Sequence, residues 1–255
     1  PPSSRTARRG SATPPAGVIS WWRGEADGGD RFGQHSGSLL NGAVAGSTGR
    51  VGNGFGFDGI DDVLDIPDAP ALGFNSASPM SIELWAYRTG TGTQMHLVGK
   101  RENGCGSYNY QMWFDDAEGL SFGGTGSRVL IAQSLEMNRW THLAATFDGT
   151  FMRLYVNGQL RGTANGSLGP KNTRPLRIGG SGDCVSFMGN LDEIALYNRA
   201  LTGAEIQSIY NAGSVGKCAD PLKLISQNCF GDAGDVRATG IAVAKGAVYL
   251  CGTTG

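Results

Sequence analysis

Residues 151–164 read FMRLYVNGQLRGTA. Asn157–Gly158 separates two runs with the texture of strands, and both residues tolerate positive φ. A two-residue hairpin turn needs that property, so the stretch commits the chain to antiparallel pairing at this point. The same pattern recurs. WTHLAATFD (140–148) meets FMRLYV across Gly149–Thr150, and FGFD (55–58) meets DVLDI (62–66) across Gly59–Ile60–Asp61. In MSIELWAY (80–87), Ile82, Leu84 and Ala86 alternate with Glu83, Trp85 and Tyr87, giving the two faces of one strand. VISWW (18–22), MHLVGK (95–100), YNYQMWF (108–114), LSFG (120–123), RVLIAQ (128–133), LRIGG (176–180) and LDEIALYN (191–198) complete the series. About a dozen short strands at this spacing predict an all-β sandwich or barrel.

Glycine supports that reading. The chain has 42 among 255 residues, well above the usual share of about 7%. No Gly-X-Y period accompanies them, which excludes collagen. Tight turns between many strands account for them. One helix is expected. Thr202-Gly-Ala-Glu205 has the capping-box pattern, Ile206, Ile209 and Tyr210 then share a face, and Gly213 stands at the C-cap. This helix is expected on the rim of the sandwich.

Charge and hydropathy narrow the function classes. Twenty-one basic and 22 acidic side chains leave a formal net charge of −1, which provides no electrostatic grip on nucleic acid or an anionic membrane. No apolar run reaches the roughly 18 residues of a membrane-spanning helix, so membrane insertion is not expected. The five cysteines, at 105, 184, 218, 229 and 251, form no C-x-x-C pair. Wide spacing in a turn-rich chain favours disulfides and an oxidising compartment over zinc or thioredoxin chemistry. An odd count leaves one thiol over, or pairs it with a cysteine outside this sequence.

Three segments are expected. Residues 1–16, PPSSRTARRGSATPPA, have almost no large apolar side chain and read as a disordered linker. Residues 17–214 hold the strands and the helix. Residues 215–255 restart a strand pattern, with TGIAVAK and AVYLCGTT around Gly246, but are too few for a core of their own. They read as a junction and the truncated start of a second β-domain. The chain begins without Met and is expected to be a piece of a larger multidomain protein.

Several of these stretches together carry a family pattern: GVISWWRGEADGGDRFG, GRVGNGFGFDGIDDVLDIPD, SIELWAY, RWTHLAATFDG, LYVNGQL, LRIGG and LDEIALYNRALTGAEIQSIYNAG. Over about residues 17–214 the chain resembles the laminin-G-like family of the concanavalin A-like lectin/glucanase superfamily, in its bacterial, pentraxin-related branch. The resemblance implies an antiparallel jelly-roll β-sandwich with one short C-terminal helix, followed here by the incomplete β-domain. Members are usually secreted or surface modules that recognise glycan or protein, and they often hold a structural calcium. The tail, GDVRATGIAVAKGAVYLCGTT, resembles the opening of a bacterial β-propeller repeat.

Three chemistries compete at the run Glu25-Ala-Asp-Gly-Gly-Asp30. Its acid spacing is close to that of related retaining glucanases, which need two carboxyls about 5–5.5 Å apart across the scissile bond. Those acids lie on a strand, whereas Gly24, Gly28 and Gly29 make this run a loop. A metal site suits it better, because calcium takes six to eight oxygens from carboxylates, amides and backbone carbonyls. Asp27 and Asp30 match acidic or amide positions in the family's first loop, and Asp192 matches its acidic position near the end. With Asn41 these residues are the expected ligands of a structural Ca²⁺. A solvated loop whose carboxylates cap backbone N–H groups is the alternative. Asp58, Asp61, Asp62, Asp65 and Asp68 form a second acidic region, for which turn and cap duties are expected and a calcium role is the alternative.

For ligand contact, Arg101, Tyr108, Tyr110 and Trp113 are the candidates: aromatic rings to stack on a pyranose and a cation for its hydroxyls. Strand alternation puts Tyr108, Tyr110 and Met112 on one face and Asn109, Gln111 and Trp113 on the other, so half of this set must face the core. Trp140, His142 and one of Trp21 and Trp22 are read as core. In the implied fold the loops around Cys105 and Cys184 lie side by side, which gives a Cys105–Cys184 bridge. Cys218–Cys229 is the second expected bridge, with Cys229–Cys251 as its competitor. The chain is thus expected to be a secreted or cell-surface recognition module for glycan or a surface protein, not an enzyme. A divergent glucanase and a ligand-free spacer are the alternatives.

Overall fold

Hydrophobic alternation and glycine turns build two antiparallel sheets packed face to face. The fold is described from a computed structural model covering residues 11–91, 94–101, 106–115, 119–132, 136–181 and 186–217, and the backbone of 236–244 and 247–254. In chain order the strands begin with β1 (Val18–Trp22), β2 (Ser38–Leu40), β3 (Val44–Thr48), β4 (Asn53–Asp58) and β5 (Val63–Ile66). Next come β6 (Met80–Arg88), β7 (Met95–Arg101), β8 (Tyr108–Phe114), β9 (Leu120–Gly124) and β10 (Ser127–Ile131). β11 (Trp140–Phe147), β12 (Phe151–Val156), β13 (Gln159–Asn165), β14 (Leu176–Ile178) and β15 (Met188–Tyr197) complete the sandwich, followed by helix α1 (Gly203–Ala212). Sequence reading finds most of these strands but not β2 and β3, which are short and solvent-facing, with burial alternating at most by half.

One sheet has eight strands, ordered β13-β12-β11-β6-β15-β4-β3, with β1 also paired to β15. The other has seven, ordered β10-β9-β8-β7-β14-β5-β2. Non-consecutive neighbours such as β6–β15 and β7–β14 give the crossovers of a jelly roll. The expected Asn157–Gly158 turn closes β12 onto β13, pairing Val156 with Gln159; its two residues have φ of 51° and 78°. The main core lies between the sheets. Ile82, Leu84 and Ala86 of β6 meet Tyr110, Met112 and Phe114 of β8 within it, all at most 3% exposed. Burial of each large side chain there is worth about 1.5–3 kcal/mol.

The outward face of the eight-stranded sheet is buried as well. Trp21, Ala144, Tyr155, Ala195, Tyr197, Leu201, Ile206 and Ile209 form a second apolar cluster. α1 therefore lies over this sheet and not on the rim, and Tyr210 stacks on Trp85 with ring centroids 5.9 Å apart. The capping box forms as expected: the Thr202 hydroxyl accepts from Glu205 N, and Thr202 N donates to the Glu205 carboxylate at 2.8 Å. With this cover both tryptophans of the first strand are buried, Trp22 in the main core and Trp21 beneath the helix. Trp140, expected in the core, is half-buried at the start of β11 and leans on Tyr87, centroids 5.5 Å apart.

Residues 11–16, expected in a linker, lie on the sandwich. Ala12 is buried, its N–H donates to the Gly216 carbonyl at 3.0 Å, and it bridges Lys217. The Ala16 carbonyl accepts from Arg199 Nε at 2.7 Å. The two strands expected on either side of Gly246 form as β16 (Val236–Ala244), paired antiparallel with β17 (Ala247–Thr254).

Candidate functional site

The loop after β1 forms an open cleft of about 460 Å³ lined by Arg23, Gly24, Glu25, Asp27, Gly29, Asp30 and Arg31. Gly24 has φ of +70°, and a Cβ there would stand 2.6 Å from the backbone of Gly54, so this loop can lie against β4 only with glycine at that position. The loop's carboxylates have separate tasks. Glu25 accepts from Arg23 Nη2 at 2.6 Å and from Asn53 N at 3.1 Å. Asp30 is buried and accepts four backbone N–H groups, from Trp21, Phe32, Gln34 and His35, at 2.9–3.3 Å. Asp27 is exposed, and its Oδ1 accepts from Gly29 N at 2.8 Å. Arg31 also faces the cleft, and no described acidic residue pairs with it. The loop thus offers Asp27 Oδ2 and the Arg31 guanidinium to a ligand. Phe32, next in the chain, is 41% exposed.

The four expected calcium ligands do not converge. Asp30 is saturated by backbone donors. Asp192 lies in β15, fully buried, where Oδ2 accepts the N–H groups of Arg50 and Val51 at 2.8 Å each. Asn41 sits beside a different turn and donates from Nδ2 to the Asp61 carbonyl at 2.9 Å. Asp27 stays exposed to solvent, and Asp192 keeps a buried Oδ1 without a hydrogen-bond partner, but the two belong to different segments. Asp30 caps backbone N–H groups as the alternative for this loop has it, though buried and not solvated, and the four residues do not converge on one cation. The donors that do meet are Asp58, Asp61 and Asp62, whose ligand oxygens lie within 4.8 Å of one another.

Of the ligand-contact candidates, three gather. Arg101 lies over the Tyr108 ring, 5.8 Å from its centroid; Tyr108 meets Trp113 edge-on at 5.5 Å; and Arg101 Nη1 donates to Gln111 Oε1 at 2.7 Å. The β7–β8 ladder slips between Lys100 and Arg101, and this turns Tyr108 away from the face expected for it. Tyr110 is corrected. It is in the main core, where its hydroxyl donates to the Leu72 carbonyl at 2.7 Å and burial pushes its pKa up, so no surface ligand reaches it. Trp113 is 5% exposed, leaving half-buried Tyr108 as the accessible ring of the group.

Sequence reading missed the buried polar cluster under α1. A bulge at Asp192–Ala195, with Glu193 at φ of 56°, sends adjacent acids of β15 to different tasks. Lys217 Nζ donates to the Glu83 carboxylate and to the Glu193 carbonyl and stands 5.0 Å from the Trp21 ring centroid. His142 contacts Glu83 Oε2 at 3.2 Å. Burial alone would raise the Glu83 carboxyl, but Lys217 and His142 together hold it below its ordinary range. The cluster is closed to solvent and joins the chain segments at 17–23, 83, 142, 193 and 217. Its signal in sequence is the two charged residues in otherwise apolar strand faces, Glu83 in SIELWAY and Glu193 in LDEIALY.

The expected Cys105–Cys184 and Cys218–Cys229 bridges fall outside the described residues, and Cys251 is described by its backbone alone. Among the described residues no helix is long and apolar enough to cross a membrane.

A laminin G family model, described as the Concanavalin A-like lectin/glucanases superfamily, matches residues 58–207, more than half of the chain. The chain belongs to this family. Laminin G-type membership agrees with the two-sheet architecture and with the capped helix that follows the last strand. Among curated proteins the chain is similar to human Pappalysin-1, 28% identical over 120 residues, which is 45% of this chain and 7% of that protein. To mouse Pappalysin-1 it is 36% identical over 76 residues, 28% of this chain and 5% of that protein. The chain therefore spans less than a tenth of the length of these relatives. Among solved structures, Domain 4 of AbnA, an extracellular arabinanase of Geobacillus stearothermophilus in complex with arabinotriose, aligns with a TM-score of 0.58 and 17% identity, covering 78% of this chain and 98% of that one. A Trypanosoma rangeli sialidase mutant displaying trans-sialidase activity aligns with a TM-score of 0.62 and 19% identity, over 80% of this chain and 35% of that one. The binding domain of Paraclostridial Mosquitocidal Protein 1 aligns at 0.58 and 18% identity, over 77% of this chain and 52% of that one. At these identities the likeness is one of fold.

Proposed function

We propose that this chain is a non-catalytic, extracellular recognition module that binds glycan, or a glycan-bearing surface partner, at the cleft of residues 23–31. One observation carries the reading: the cleft is open, and its free groups are one guanidinium, Arg31, and one carboxylate, Asp27, with an exposed aromatic, Phe32, next in the chain. A donor and an acceptor of opposite charge suit a neutral ligand rich in hydroxyls, since each vicinal hydroxyl both gives and takes hydrogen bonds. Catalysis fits poorly. A glycosidase needs two carboxyls free to act on one bond, whereas Glu25 and Asp30 are committed to Arg23 and to backbone N–H groups. The fold neighbours include an extracellular arabinanase domain seen with arabinotriose and the binding domain of Paraclostridial Mosquitocidal Protein 1, which agrees with an extracellular binding role inside a larger protein.

Oligosaccharide binding by the whole chain on a glycan array, followed by calorimetry on the hits, tests the reading. Arg31→Ala and Asp27→Ala are expected to weaken binding at least about tenfold, the scale of one charge-assisted hydrogen bond, and Tyr108→Ala to leave it unchanged. Loss of binding with Tyr108→Ala alone would move the site to the Arg101–Tyr108–Trp113 group on the seven-stranded sheet. An array without hits would overturn glycan recognition and leave protein adhesion or a spacer role.

A further inference from the structure

Arg23 stands between two carboxylates in different surroundings. On the cleft side its Nη2 donates to Glu25 Oε1 at 2.6 Å, and the Glu25 side chain is 37% exposed. On the inner side its Nε faces Glu193 Oε1 at 3.6 Å, and the Glu193 side chain is 2% exposed. Both of these inner atoms are buried, and neither has a hydrogen-bond partner. The guanidinium is thus bonded to the cleft and only poised against the buried acid.

Lys217 is what lets it stay there. Its Nζ stands 3.5 Å from Glu193 Oε2 and donates to the Glu193 carbonyl at 3.0 Å. Arg23 and Lys217 also share one aromatic ring, lying 5.6 and 5.0 Å from the Trp21 centroid. Burial pushes the Glu193 carboxyl above its ordinary range; Lys217 opposes this most strongly and Arg23 next. An ion pair in contact with water is screened and weak, whereas a buried carboxylate without a counter-charge is costly. Were Lys217 to withdraw, Glu193 would therefore win Arg23 from Glu25.

We propose that Arg23 is a charge switch of the cleft, held on Glu25 while Lys217 serves Glu193 and drawn to Glu193 when Lys217 leaves. The switch is a regulation of the binding site at residues 23–31 and rests on that reading. With Lys217 seated, Glu25 is neutralised, and Asp27 and Arg31 are the free charges of the cleft. With Lys217 withdrawn, Glu25 keeps its place through the bond from Asn53 N at 3.1 Å but becomes a second free carboxylate. The cleft then turns acidic, which repels an anionic ligand and suits a cationic one. Lys217 is bridged to Ala12 and precedes the chain leading to β16. Displacement of either segment reaches the cleft through Glu193 and Arg23, two arrangements of one side chain whose balance both ends bias.

Carboxyl footprinting of the whole chain tests the switch without any ligand, so its outcome is independent of the glycan array. Carbodiimide with glycine ethyl ester converts free carboxylates to amides, and peptide mass mapping reads each acid. In the wild type Glu25 is expected to label more slowly than exposed Asp27. Arg23→Gln leaves Lys217 in place and sets the released rate of Glu25. Lys217→Met combined with Glu83→Gln keeps Glu193 charged while removing the other stranded carboxylate. In that variant Glu25 labelling should rise to the released rate, with Asp27 unchanged. Adding Glu193→Gln takes away the acid that draws Arg23 and should return Glu25 to its wild-type rate. Unchanged Glu25 labelling in Arg23→Gln, or in the Lys217 variant, overturns the proposal. An equal rise with Glu193→Gln added overturns it too, because general loosening of the loop, not transfer of Arg23, would then free Glu25.

Discussion

Lys217 and Glu83 are ion-paired with both side chains closed to water, 1% and 0% exposed. Glu83 projects from the outward face of the eight-stranded sheet, and Lys217 arrives from the far end of the domain, 134 residues later. Burial works to lower the lysine, but the carboxylates of Glu83 and Glu193 outweigh it and hold the ammonium above its ordinary pKa. The pair ties the last segment of the sandwich to its middle strand.

Removing one partner should therefore cost much more than removing both. Lys217→Met is expected to destabilise the fold by about 3–5 kcal/mol, because it strands a buried carboxylate. Lys217→Met combined with Glu83→Gln should recover a large part of that loss. Urea unfolding of the double-mutant cycle reads the difference; additive losses would mean that the pair is not coupled.

Asp192 gives the opposite sign. Burial, then repulsion from Glu193, raises its carboxyl well above the ordinary range despite the Arg50 and Val51 N–H groups. Its Oδ1 is buried without a hydrogen-bond partner. The folded state thus binds this proton more tightly than the unfolded chain, where an aspartate titrates near about 3.9. Stability from this group is present at low pH and declines as pH rises from the ordinary carboxylate range through the raised value. Asp192→Asn keeps an oxygen for the two N–H donors and removes the charge. Its unfolding free energy should lack this decline, so the variant gains on the wild type toward neutral pH. Parallel pH dependence in the two proteins would refute the assignment.

Glu205 behaves in the usual acidic sense. The Arg199 guanidinium, bonded to it at 2.5 and 3.0 Å, and the Thr202 cap hold its carboxyl down to about 2. The stability it contributes is present above the unfolded pKa of about 4.3 and is lost as pH falls toward 2. Both side chains are about one-third exposed, so solvent screens the pair and the cap dominates. Glu205→Gln should lower stability at pH 7 by about 1 kcal/mol and flatten the acid limb of a Tm–pH curve.

Gly158 offers a backbone test. With φ of +78°, an alanine there is strained whatever its surroundings, and its Cβ would press on the Gln207 side chain of α1 at 2.8 Å. Gly158→Ala is expected to cost roughly 1–2 kcal/mol. Asn157→Gly keeps the turn but gives up the bond from His142 N to Asn157 Oδ1, 3.0 Å, and should cost less than that. Chemical denaturation ranks the two.

The local grammar of the chain was legible. Alternation in SIELWAY placed Ile82 and Leu84 inside, Asn157–Gly158 announced its hairpin, and Thr202–Glu205 announced its cap, because each depends on neighbours within a few residues. The glycines of EADGGD correctly indicated a loop. What the loop's acids do was not legible. Asp30 bonds to N–H groups on both sides of itself, and Asp192 holds Arg50 and Val51 from 142 and 141 residues away. A carboxylate next to glycines looks the same in sequence whether it waits for a cation or caps a turn.

The sequence by itself determined that strands alternate, where they turn, and that a helix follows the last of them. Only the tertiary structure decided which outward faces meet water. Alternation gives every strand a second face, but whether Glu83, Trp85 and Trp21 lie on a surface or are buried depends on α1 and Lys217 closing over them. That cover is a long-range event, and so are the bulge at Glu193 and the approach of Lys217 that satisfy the charges beneath it. Burial is a property of the packed whole, whereas turns and caps belong to a handful of adjacent residues.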